Sequence, residues 1–152
     1  MSQNLEENII QTVRDAFTTV LEMDVHLNPA AMVVARGQPY ICSTIQITGA
    51  WQGVVSLSAP LELGANIASI MFEEEIDISD TENLEDAMGE ISNIISGSFK
   101  SSLVGTCHLG LPVITCGVDY RVSFPGSHVE CSVGFEVEDD CFHVTLIQSN
   151  RS

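Results

Sequence analysis

Between residues 84 and 103 the apolar side chains Leu84, Met88, Ile91, Ile95, Phe99 and Leu103 return every three or four positions. That period predicts a long helix with one apolar stripe, which must be covered by other elements. Ser79-Asp80-Thr81-Glu82 has the form of a capping box, with Ser79 placed to accept the Glu82 N–H and Glu82 to reach back. The helix is predicted to start there and to stop near Gly105.

The flanking segments supply the cover. Leu5, Ile9, Val13, Ala16, Phe17 and Val20 recur at helical spacing and predict a first helix over 3–24. Residues 31–58 read as short strands: Ile45-Gln46-Ile47-Thr48 alternates, Gly49-Ala50-Trp51-Gln52-Gly53 turns, and Val54 to Ser58 resumes as a partner strand. Pro60 fits the first turn of a second helix, whose stripe is Leu63, Ile67, Ile70 and Met71. Beyond the third helix, Val118, Tyr120, Val122 and Phe124 alternate, and Pro125-Gly126 turns the chain. Then Cys131, Val133, Phe135 and Val137 alternate up to a hairpin tip at Glu138-Asp139-Asp140, and Phe142, Val144 and Leu146 return. The implied class is α+β, with helices packed on a mostly antiparallel sheet and a possible internal pseudo-twofold plan of helix then strands. The length of 152 residues suits a single domain spanning 1–152.

Net charge is −16, and the only cationic side chains are Arg14, Arg36, Lys100, Arg121 and Arg151. Nucleic acids and anionic membranes would repel such a surface. The acidic start Met1-Ser2-Gln3-Asn4-Leu5-Glu6-Glu7 is unlike a secretory signal, and no apolar run is long enough to span a bilayer, so the chain is expected in the cytoplasm. Cysteines stand at 42, 107, 116, 131 and 141. With no Cys-x-x-Cys, and with His26, His108, His128 and His143 scattered, they read as buried thiols in a reducing compartment rather than as a zinc site. The run Glu73-Glu74-Glu75-Ile76-Asp77 reads as a solvated connection, because its spacing does not match a calcium loop.

On the third helix Asp86, Glu90, Asn93 and Gly97 fall opposite the apolar stripe, within a sector of roughly 60°. Small residues border them: Gly89, Ser92, Ser96, Gly97 and Ser101. A Glu and an Asn three apart are common on solvated helices, and the spacing alone carries no function. Asn is a mediocre helix former, however, and each Gly costs about 1 kcal/mol against Ala. A helix that keeps Asn93, Gly89 and Gly97 beside one polar face is shaped by something other than stability.

The stretch from Asp86 to Ser101, DAMGEISNIISGSFKS, closely resembles the signature helix of the CheC/CheX/FliY family of chemotaxis phosphatases, with Asp86, Glu90 and Asn93 matching. Leu111-Pro112-Val113-Ile114 resembles the family's later proline, and Ala16 to Met23 is similar to the first helix of CheX. The first helix carries no second Glu-x-x-Asn, so the resemblance favours the one-sited CheX type. It implies a phosphatase that hydrolyses the aspartyl phosphate of a CheY-like receiver domain. Asn93 would orient the attacking water and Glu90 would grip the receiver's lysine, while Asp86, Gly89 and Gly97 would help docking. No metal or cofactor is implied on this chain; magnesium is expected on the receiver. A homodimer is implied as well. The alternative is a non-catalytic receiver-binding or flagellar-switch module of the same fold. Nucleophilic catalysis through Cys107 or Cys116 finds no His or Asp at telling spacing.

Overall fold

The computed structural model describes residues 4–29, 38–118 and 126–149. Residues 31–37 of the predicted strand region and the whole alternation from Tyr120 to Phe124 lie outside the described residues. Helix α1 spans Leu5–Leu21 and α2 spans Leu61–Phe72, while α3 spans Thr81–Ser101. The strands are β1 (His26–Leu27), β2 (Tyr40–Gly49), β3 (Gly53–Pro60), β4 (Cys107–Leu109), β5 (Val113–Gly117), β6 (Ser127–Val137) and β7 (Asp140–Ser149). They form a seven-stranded antiparallel sheet in the order β1-β6-β7-β3-β2-β4, with β5 also pairing β2. The α+β expectation therefore holds.

Local chemistry sets the helix ends. Asn4 caps α1 by accepting the Glu7 N–H at 3.1 Å, and Glu6 and Glu7 suit the positive end of the helix dipole. The helix stops at Leu21, short of the predicted residue 24, because Glu22 turns left-handed (φ 55) and its N–H closes on the Phe17 carbonyl. Pro60 lies one residue earlier than expected: it is the extended N-cap of α2 and also ends β3.

The capping box of α3 does not form. Ser79 instead folds onto Asp77, its hydroxyl and its N–H both donating to Asp77 Oδ1 at 2.8 and 2.6 Å. Those bonds to Ser79 hold the Asp77 carboxyl below its usual pKa. Asp80 becomes the N-cap without a side-chain cap bond, its carboxylate taken by Asn83 at 2.8 Å. A short polar side chain finds an Asx-type turn as readily as a helix cap, and here the turn wins.

The helices share one face of the sheet. Ile41 and Ile47 of β2, Val55 and Leu57 of β3, Val133 and Phe135 of β6, and Phe142, Val144 and Leu146 of β7 point into one core with the helix stripes. Phe142 stacks between Phe17 at 4.7 Å and Phe135 at 5.1 Å, locking α1 onto β6 and β7. Trp51, buried in the β2–β3 turn, meets Phe99 of α3 edge-on at 5.7 Å. Gly49 and Gly105 both adopt positive φ, and a Cβ on Gly49 would lie 2.4 Å from the Thr106 carbonyl oxygen. These two glycines let that turn close against the start of β4, where Ala50 N–H bonds Thr106 O at 2.9 Å. Helix α3 packs against α1 and α2 and crosses β2, β4 and β5, so it is the central element.

Candidate functional site

All six residues of the predicted stripe are buried, from 0% exposure at Met88, Ile91 and Phe99 to 7% at Leu103, which lies just past the end of α3 at Ser101. The opposite face is open: Asp86, Glu90 and Asn93 are exposed. Successive positions on this face are three or four apart, so a carboxylate and a carboxamide stand side by side about one turn apart. No side-chain hydrogen bond or ion pair engages Glu90 or Asn93 among the described residues. Both groups are thus available to a partner.

The bordering small residues differ among themselves in depth. Ser92 and Ser96 are fully buried, at 1% and 0% exposure, and their hydroxyls have no partner among the described residues. They are small enough to let α3 press against the sheet, and so belong to the packed side rather than the polar face. Gly89 is also buried. A Cβ there would lie 3.5 Å from Pro112 Cγ and 3.8 Å from Ile114 Cδ1, so α3 runs close beside the segment that starts β5. Gly97 is half-buried, with Leu109 Cδ1 of β4 3.9 Å from where its Cβ would be.

Glu90 and Asn93 open onto a groove of about 760 Å³. Asp86 and Gly89 also line it; Gly97 does not. The structure adds residues that the helix pattern could not reveal: Glu85 and Ile94 of α3, Phe72 from the end of α2, and Ile114 of β5. Pro112, singled out in the sequence, forms part of the wall.

The thiols divide. Cys42 and Cys107 are buried as expected, Cys131 and Cys141 are half-buried, and Cys116 is exposed, which corrects the expectation of buried thiols. Burial, and then the nearby Glu85 carboxylate, push the Cys116 thiol above its ordinary pKa. A nucleophile needs the opposite shift. Burial also lifts Cys131, to about 11. No group of three or more His, Cys, Asp or Glu side chains suited to a metal ion occurs among the described residues. No helix among them is long and apolar enough to cross a membrane.

The family model described as "Chemotaxis phosphatase CheX" matches residues 41–136, which include all of α3. No curated protein sequence matches the chain. Solved structures with the same fold include the chemotaxis protein CheX from Vibrio vulnificus (17% identity, 95% of each chain, TM-score 0.77). A CheX from Desulfovibrio desulfuricans is similar at 20% identity, over 95% of this chain and 98% of that one, with TM-score 0.76. A CheX-CheY-BeF3-Mg complex from Borrelia burgdorferi is similar at 19% identity, over 96% and 99%, with TM-score 0.76. The solved structures share the arrangement of helices on one face of an antiparallel sheet, and the family match over these elements makes the class a chemotaxis phosphatase, a hydrolase. The chain belongs to the CheX family.

Proposed function

We propose that the chain hydrolyses the aspartyl phosphate of a CheY-like receiver domain, with Asn93 and Glu90 as its reactive pair. The observation that carries this reading is the exposed, unengaged Glu90–Asn93 pair on the rigid central helix, opening onto a groove. The solved complex of a CheX with CheY, BeF3 and magnesium supports a receiver as the partner. Magnesium belongs to the receiver, and this chain contributes side chains only.

Phosphoryl transfer to water needs positioning and charge stabilisation more than covalent help. The Asn93 carboxamide both accepts and donates hydrogen bonds, so it can hold a water in line with the P–O bond. It is no base near neutral pH, and its role is orientation, as for the water-positioning glutamine of GTPases. Water oxygen bonds to phosphorus as the bond to the aspartate oxygen breaks. Inorganic phosphate leaves, the receiver carboxylate is restored, and the water's protons pass to phosphate and solvent. Glu90 grips the receiver's lysine through a charge-assisted hydrogen bond, which sets the register of docking. Asp86, Gly89 and Gly97 serve docking, Asp86 by charge and the glycines by keeping the helix face low.

We also assign the chain to the cytoplasm, as a single domain over 1–152 and a homodimer. The core shared by residues from Ile9 to Leu146 supports one domain. Strand β5 begins beside exposed Leu111 (86%) and carries exposed Val113 (62%), apolar surface that a second copy would cover. Sedimentation of the purified chain tests the dimer.

The decisive experiment times phosphate loss from acetyl-phosphate-labelled receiver domains of the same genome. Asn93→Ala is expected to fold and bind normally while turnover falls on the order of 10²-fold or more. Normal turnover in that variant removes the water role. Glu90→Ala is expected to weaken association, and unchanged affinity together with unchanged turnover removes Glu90.

A further inference from the structure

The groove beside Glu90 and Asn93 is larger than holding one water requires. About 760 Å³ falls in the range of roughly 300–1,000 Å³ that encloses a whole drug-sized ligand. Much of its lining is also apolar. Phe72, Ile94, Pro112 and Ile114 come from three separate parts of the chain and turn hydrocarbon toward the same space. Phe72 and Ile94 are only partly buried where they pack against the core, which leaves apolar surface for a visitor to cover.

The charged residues of the lining have one sign: Glu85, Asp86 and Glu90. The same sign continues past Phe72, where Glu73, Glu74 and Glu75 are all exposed. That placement works against the fold. The last turn of α2 has no basic residue, so the three carboxylates face the negative end of the helix dipole. Glu73 also occupies a left-handed conformation, φ 51, that favours glycine. Acidic groups kept where they cost stability complement a cationic visitor.

We propose that this groove receives one apolar side chain of the receiver's docking surface, set against Phe72, Ile94, Pro112 and Ile114, with lysine or arginine neighbours of that side chain meeting Glu85 and Asp86. This rests on the receiver-phosphatase reading and names what that receiver must present. Apolar contact then sets how long the complex lasts, and the acidic rim sets how fast it forms.

The test titrates the full-length chain against a magnesium- and beryllofluoride-loaded receiver domain, a probe whose binding needs no turnover. Ile94→Ala and Ile114→Ala are each expected to weaken affinity about tenfold, the scale of truncating an interface anchor. Ile94→Met, which keeps the volume, is expected to bind normally, and circular dichroism confirms that each variant is folded. The exposed double variant Glu85→Lys/Asp86→Lys is expected to slow association about tenfold at low salt, with the difference shrinking as salt rises. Affinities within twofold of the parent for both alanine variants overturn the apolar slot. An association rate indifferent to charge reversal overturns the basic neighbours. If the parent chain binds without turnover and the alanine variants still bind weakly, the slot stands and the phosphatase reading falls. If turnover is normal and the alanine variants bind normally, the slot alone falls. A parent chain that binds no receiver overturns both.

Discussion

Replacing Gly89 by alanine should move stability and association in opposite directions. The position lies inside α3, where glycine costs about 1 kcal/mol relative to alanine. The new methyl group would lie 3.5 Å from Pro112 Cγ and 3.8 Å from Ile114 Cδ1, which is ordinary van der Waals contact. Burying it adds up to about 0.8 kcal/mol. Gly89→Ala is therefore expected to stabilise the fold by about 1–2 kcal/mol. At a urea m-value of about 2 kcal/mol/M this raises the midpoint by about 0.5–1 M with the slope unchanged. At roughly 2–4 °C per kcal/mol the melting temperature should rise by about 2–8 °C. The same methyl makes the groove shallower, so binding of a beryllofluoride-loaded receiver should weaken, and Gly89→Leu should remove it. A lower urea midpoint in Gly89→Ala would refute the close but unstrained packing of α3 beside Pro112. A higher midpoint with undiminished binding by Gly89→Leu would refute a docking role for this face.

Glu73→Gly removes a non-glycine residue from a left-handed C-cap and one charge from the negative end of α2. It should stabilise the chain by about 1 kcal/mol, read as a higher urea midpoint. Asp140 is pushed above its ordinary pKa by desolvation, and then by Glu62, Asp139 and Glu138. Its folded pKa exceeds its unfolded one, so its charged form opposes folding at neutral pH and this cost disappears as pH falls through the folded pKa. Asp140→Asn is accordingly expected to raise the urea midpoint at pH 7, with the advantage vanishing below pH 3.8, the unperturbed value.

The axis of the site was legible because a buried helix writes its period into the chain. Leu84 to Phe99 mark the inside of α3, and whatever lies opposite, Asp86, Glu90 and Asn93, must face out. The walls were not legible. Phe72 and Ile114 reach the groove through the docking of α2 on α3 and the pairing of β5 with β2, and neither leaves a local signal. Pro112 was visible as a residue and not as a neighbour of Gly89. Ser92 and Ser96 border the polar face on the helix wheel, and their small volume lets them sit inside the tight helix–sheet contact, a depth the wheel does not reveal. Ser79 misled because Asp77, two residues before it, offered a nearer partner than the helix end. The hairpins β2–β3 and β6–β7 were readable from alternation. The placement of β7 beside β3, which makes them one sheet, comes from register over long separation.

Because Glu90 and Asn93 ride on a helix pinned by Phe99 under Trp51 and by the 0% exposed Met88 and Ile91, their spacing is set before any partner arrives. An encounter then needs no reordering of that helix, so each productive collision meets a preformed Glu90–Asn93 pair. Amide hydrogens in the middle of α3 should accordingly be among the slowest in the molecule to exchange, free or in complex.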